Sequence, residues 1–277
     1  MSPPPSPFIQ DVMLTPIVAL TCAVLILIWF PLWNNRISPD KVCFSYAKVV
    51  TQGEWWRCLT AAHSHFDLAH IGFNVMSLWS CRVAELMLGP WVFFVQSLAL
   101  VMLSKGIMLG VVHVVSSRLP APQDRAWQEG GSVGYSAVIF AWMTVLSARS
   151  TGMSSVFGLV EVPSVMMPVV SLFITQLIVR NASFVGHAAG IVAGGLTALG
   201  TLDWAKSAYW CAVFLFWMSV MMVYSLKATS QVPMPCIDYV NRAMSEREEG
   251  GREGGGSRPP QTVVLHPEGG ERGPTLV

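Results

Sequence analysis

The chain has 277 residues, of which 53% are hydrophobic and only 12% charged, with a formal net charge of +1. The charged share is about half that of a soluble domain, which excludes an ordinary water-facing surface. With no cluster of Lys and Arg there is no electrostatic footprint for nucleic acid, and six scattered cysteines without a CxxC pair exclude a disulfide-stapled mini-protein.

In chain order, the first 11 residues carry no Lys or Arg. They lack both the basic start of a signal peptide and the arginines of a mitochondrial transit peptide. The expected location is therefore a secretory-pathway membrane (Golgi, endoplasmic reticulum or plasma membrane) rather than a mitochondrion. A bilayer core about 30 Å thick takes about 20 apolar residues at 1.5 Å each. Seven runs approach that length: Val12–Trp33, His65–Leu86, Trp91–Val115, Gly131–Ala148, Val162–Val179, Ala182–Leu199 and Ala208–Leu226. The expected protein is an all-α polytopic membrane protein. Between the first two runs, Trp55 and Trp56 are placed to anchor the loop at headgroup depth. Of the 33 charged residues, 13 lie in Lys227–Val277, a stretch with eight Gly and six Pro. That composition predicts a disordered tail. Its end, Thr275-Leu276-Val277, offers a weak docking signal for a carboxylate-capturing groove. Cys22, Cys43, Cys58, Cys81, Cys211 and Cys236 read as small buried hydrophobes, with a Cys43–Cys58 loop disulfide as the lesser alternative.

Polar side chains inside membrane spans are costly, which singles out His70, Asn74, Ser136 and His187. Spans two, four and six run in one direction, so depths along them compare directly, and all four residues fall about 6–12 Å below one membrane face. His70 and Asn74 share a helical face at i,i+4, whereas on a continuous helix His65 lies half a turn away from Asn74 and outside their site. Gly190 and Gly194 lie on the face of His187 and predict close approach by a neighbouring helix, with Gly134, Ser136, Ala137 and Ala141 as the matching small surface. A hydroxyl beside an imidazole is the arrangement of a nucleophile and its base. Lys105 and His113 lack an evident partner and are expected to pack or snorkel. A metal cluster of His63, His65 and His70 is disfavoured, since no carboxylate or cysteine within the spans completes it.

These residues resemble the rhomboid family of intramembrane serine proteases over about residues 50–200. The pattern is Trp56-Arg57, His65-x4-His70-x3-Asn74, Glu85 followed by Gly89, Gly134-Tyr135-Ser136, and His187 with Gly190 and Gly194. The resemblance implies a rhomboid-like six-helix bundle, here residues 12–200, with a seventh C-terminal transmembrane helix within residues 201–226. It implies Ser136 as nucleophile and His187 as general base and acid. It gives His70, Asn74 and the backbone N–H of Ser136 to the oxyanion, and supporting roles to Gly134, Gly190, Gly194, His65, Trp56, Arg57 and Glu85. No metal or cofactor is implied, and the implied partners are membrane lipid and the transmembrane segments of single-pass proteins. Ala137 stands where the family usually has Gly, and Glu85 falls one residue closer to Asn74 than expected. The alternative is an inactive rhomboid-like protein that binds client helices and directs their trafficking or degradation. Orientation is pulled two ways: the family's arrangement puts the N-terminus in the cytosol, while three Lys/Arg on that side against seven on the other favour the reverse.

Overall fold

The computed structural model describes residues 6–156, 159–179 and 182–229. The tail beyond residue 229, with Thr275-Leu276-Val277 and Cys236, lies outside the described residues. The helices are α1 (Pro7–Leu14), α2 (Pro16–Asn34), α3 (Arg57–His63), α4 (Leu68–Ser80), α5 (Val83–Leu88), α6 (Pro90–Ser116), α7 (Gln123–Glu129), α8 (Ser136–Ala148), α9 (Met167–Ile178), α10 (Phe184–Ala198) and α11 (Ala208–Ala228). Three of them, α2, α6 and α11, are long and apolar enough to cross a membrane. Large apolar side chains on α2 and α11, such as Leu27, Phe30, Phe216 and Trp217, face outward. An all-round apolar helix with an exposed outer face is solvated by lipid. The chain is thus a helical polytopic membrane protein.

The observed elements differ from the apolar runs wherever the backbone needs hydrogen bonds that hydropathy does not register. The first run divides at Thr15, ahead of Pro16, whose ring cannot continue α1. The second starts late and is interrupted. Asp67 caps α4 by accepting the His70 N–H at 2.7 Å, so His65 precedes the helix. A turn at Cys81-Arg82 then separates α4 from α5, with Arg82 held by Asp11 at 3.0 Å. The fifth run opens as a strand: β1 (Met153–Val156) and β2 (Val160–Pro163) form an antiparallel hairpin with Met153 opposite Pro163, and helix resumes only at Met167. The chain is predominantly helical, as expected, with that short hairpin as a local addition. With 13, 12 and 15 residues, α8, α9 and α10 are about 18–23 Å long, shorter than a full bilayer core.

Helix α6 is the hub, in contact with α2, α3, α5, α8 and α10. Phe93 on α6 stacks on Trp142 of α8 at 4.8 Å, and the Trp142 indole N–H donates to Ser97 Oγ at 3.1 Å. The closest packing is between α8 and α10. A Cβ on Gly190 would lie 2.2 Å from the Ala137 carbonyl oxygen, and one on Gly194 2.3 Å from that of Ala141. Two glycines four residues apart on α10 therefore seat two alanines four residues apart on α8.

Glu85 is fully buried, and its two carboxylate oxygens accept the N–H groups of Ile17 at 2.9 Å and Val18 at 2.8 Å. With Pro16 lacking an N–H, the carboxylate satisfies the next two orphan donors of α2 and places negative charge at the positive end of the helix dipole. Glu85→Ala is expected to lower stability by about 3 kcal/mol, and Glu85→Gln by less, as read by chemical denaturation in detergent micelles. Equal stability of Glu85→Ala and the native chain would refute this capping role.

The first loop is built around Arg57. Its guanidinium is buried over the Trp56 ring, pairs with Glu54 and donates to the carbonyls of Asp40 at 3.0 Å and Cys43 at 3.2 Å. Trp56 is buried in the protein, so its ring is not presented outward as a surface anchor would be, which corrects the anchoring expected of it. Lys48 is tied to Asp40, so at least two loop cations serve the fold. Cys43 and Cys58 are free thiols, as are Cys22, Cys81 and Cys211, so the alternative of a loop disulfide is not realised. Burial pushes the Cys58 thiol up to about 11. Lys105 does not snorkel: it is buried with Nζ 4.6 Å from the centre of the Phe44 ring. His113 Nδ1 lies 2.9 Å from the Tyr46 hydroxyl.

Candidate active site

Three helix N-termini converge at the site. Ser136 is the first residue of α8, His187 the fourth of α10, and His70 and Asn74 the third and seventh of α4. They lie nearer their helix ends than the sequence depths suggested, because α4, α8 and α10 begin about two to five residues inside the apolar runs. His187 Nε2 is 2.9 Å from Ser136 Oγ. That contact depends on the glycine seam between α8 and α10, which brings the two backbones together one turn below.

The His187 ring stacks on Phe140 at 4.6 Å between centroids with an interplanar angle of 25°. Its Nδ1 is buried without a hydrogen-bond partner among the described residues. Stacking, and not a carboxylate, therefore fixes the ring. Phe140 was missed from sequence, although its i+4 spacing from Ser136 puts it on the same face of α8.

The helix ends differ in their caps. Asp67 caps α4 and Ser183 caps α10, the latter accepting the Gly186 N–H at 3.1 Å. Helix α8 has no side-chain cap. The Tyr135 carbonyl takes the N–H groups of Val138 and Ile139, which leaves those of Ser136 and Ala137 as the orphan donors of the helix end. Such an end, with its partial positive charge, favours a developing anion.

The turn leading into Ser136 is held from the first loop. Ser132 exchanges two backbone bonds with Phe44, and the Gly134 N–H donates to the Ala61 carbonyl at 2.8 Å. Gly134 has φ +110°, and a Cβ there would meet His70 Nε2 at 2.7 Å, so only glycine lets the imidazole lie against this turn. The next N–H, of Tyr135, donates to His65 Nε2 at 3.4 Å. The rings of His65 and His70 meet edge to face at 4.8 Å. His65 thus belongs to the site, contrary to the angular reading, because it lies before the Asp67 cap and not on the helix. Accepting at Nε2 places its proton on Nδ1. That atom and Asn74 Oδ1, on neighbouring side chains, are both buried without a partner at hydrogen-bond distance among the described residues. Asn74 Nδ2 donates to the His70 carbonyl at 2.8 Å, which leaves its second amide hydrogen available. Behind the turn, Tyr135 packs on His63 at 5.4 Å. Burial holds the His63 imidazole below its ordinary pKa, opposed by its bond to the Leu59 carbonyl.

Residues 52–204, more than half of the chain, match the family model of the rhomboid domain. Similar relatives include "Rhomboid-like protein 14, mitochondrial" of Arabidopsis thaliana, 31% identical over 183 residues, or 65% of this chain and 54% of that protein. "Rhomboid-related protein 4" of Homo sapiens is 31% identical over 189 residues, 66% of this chain and 58% of that one. "Rhomboid protease GluP" of Bacillus subtilis is 28% identical over 194 residues, 68% of this chain and 35% of that one. The chain spans about half the length of most of the curated relatives it matches. The match takes in the first-loop Trp56-Arg57 pair, the capped α4, the Gly134 turn and the α8–α10 seam, and the chain belongs to the rhomboid family.

Proposed function

We propose that the protein is an intramembrane serine protease that cleaves transmembrane segments of single-pass membrane proteins through a Ser136–His187 dyad. The carrying observation is the 2.9 Å contact between His187 Nε2 and Ser136 Oγ at an uncapped helix N-terminus. The similar B. subtilis relative is itself named a protease. As Ser136 Oγ attacks the scissile carbonyl carbon, its proton passes to His187 Nε2. The carbonyl oxygen becomes an oxyanion, received by the Ser136 N–H with His70 and the free Asn74 amide hydrogen beside it. The C–N bond then breaks, and His187 returns the proton to the leaving amine. Water, deprotonated by the same imidazole, attacks the acyl ester, and the acid and free Ser136 are released.

Labelling by a fluorophosphonate tests this reading. The native chain is expected to react at Ser136, Ser136→Ala and His187→Ala are expected not to, and Cys211→Ala is expected to label as the native chain does. No labelling of folded protein in membranes would overturn the protease reading and leave binding of client helices as the function. Phe140→Leu is expected to lower kcat about 3–10-fold with KM unchanged, the worth of one aromatic stack. Phe140→Tyr should keep native kcat, and a loss there equal to that of leucine would argue against stacking as the orienting force. The proposed compartment is a secretory-pathway membrane, with a mitochondrial one as the competing reading. One similar relative is named mitochondrial, so co-localisation of a tagged chain with a mitochondrial marker would overturn it.

A further inference from the structure

Helix α11 contributes nothing directly to the Ser136–His187 site, yet its last turn carries a serine with no exposed surface. A serine in a membrane helix ordinarily bonds its own i−4 carbonyl. Ser219, on the same helix, does so with Leu215 at 2.8 Å. Ser225 reaches outward instead. Its hydroxyl donates to the Gly53 carbonyl at 2.8 Å and accepts the Trp56 N–H at 3.3 Å. Ser225 is 0% exposed and Trp56 is buried, so water does not replace the hydroxyl as the partner of the Trp56 N–H.

These partners stand at the start of α3, of which Trp56 is the N-cap residue, and no side chain of the first loop caps that helix. Ser225 thus grips one end of a seven-residue helix about 10 Å long. The other end is bonded to the catalytic turn. Ala61 takes the Gly134 N–H, and His65, two residues past the helix, takes the Tyr135 N–H. Arg57 locks the same helix to Glu54 and to the carbonyls of Asp40 and Cys43, so it moves as a unit with the loop.

The geometry points to Ser225 as a positioning residue: through α3, helix α11 sets where the Gly134-Tyr135-Ser136 turn lies. Without the hydroxyl, the Trp56 N–H must find a new partner and the Gly53 carbonyl keeps only the N–H of Trp55, so α3 shifts or frays at that end. Gly134 and Tyr135 shift with it, and so do the orphan donors of α8. Small misplacements of such groups carry large rate costs.

The kinetic consequence rests on the protease reading; the structural one does not. In the full chain, Ser225→Ala is expected to lower kcat about 10-fold with KM within twofold of native. Amide hydrogen exchange at Gly134 and Tyr135 is expected to accelerate, with Ile17 and Val18 on α2 unchanged. Ser225→Thr, which keeps the hydroxyl, should restore both readouts, and Ser219→Ala should alter neither. Native exchange at Gly134 and Tyr135 in Ser225→Ala overturns the inference. So does faster exchange throughout the chain, or a loss of kcat that threonine leaves unrescued. If the native chain neither cleaves nor labels, the protease reading fails, and the exchange data alone decide the role of Ser225.

Discussion

Ser136→Ala, His187→Ala and the double variant are each expected to lower cleavage of a reconstituted transmembrane substrate by the same factor, on the order of 10⁴-fold or more. The hydroxyl is a weak nucleophile without a proton acceptor, and the imidazole has no task without the hydroxyl. Removing either one therefore removes the function of both. The 2.9 Å contact is the structural basis of that coupling. No carboxylate is bonded to His187, whose Nδ1 lacks a partner among the described residues, so no third residue is available to soften the loss. Single-turnover cleavage in bilayers measures the three rates. Losses that multiply in the double variant, or a His187→Ala chain within tenfold of native, would put the proton acceptor elsewhere.

The second large effect concerns stability. Gly190→Ala and Gly194→Ala are each expected to destabilise the chain by about 3 kcal/mol or more, beyond the usual cost of an extra methyl in a packed core. The neighbour each new Cβ would strike is a backbone carbonyl, at 2.2 Å and 2.3 Å, and it cannot rotate aside. The helices must separate, which draws His187 away from Ser136. Gly195, on the same helix, faces open space. Gly195→Ala is therefore expected to be neutral or to stabilise by up to about 1 kcal/mol, the helix propensity difference alone. Thermal unfolding in detergent compares the three. Tolerance of alanine at Gly190 would mean that α8 and α10 do not meet as closely as described.

How much of this was legible in the sequence depended on whether the signal was local. The i,i+4 relation of His70 and Asn74 and the i,i+4 glycines of α10 are properties of a single helix, and single-helix periodicity can be read directly. Span limits were read less well, because apolarity reports where lipid is tolerated and not where backbone bonds end. Val162 and Pro163 open the fifth apolar run and yet pair in a strand. His65 escapes helical periodicity because Asp67 is a good N-cap, and residues ahead of a cap do not follow helical angles. The grip of Ser225 on Gly53 joins positions 172 residues apart, and no local pattern announces it.

Of the three helix ends at the site, only that of α8 is left without a side-chain cap. A capping oxygen at position 135 would add about 1 kcal/mol at the helix end. Tyr135 itself is buried in the packed core, so Tyr135→Asp or Tyr135→Asn would lose more in burial than the cap returns. The packing of one aromatic ring thus keeps the end of α8 open, and with it the donors that the proposed mechanism assigns to the oxyanion.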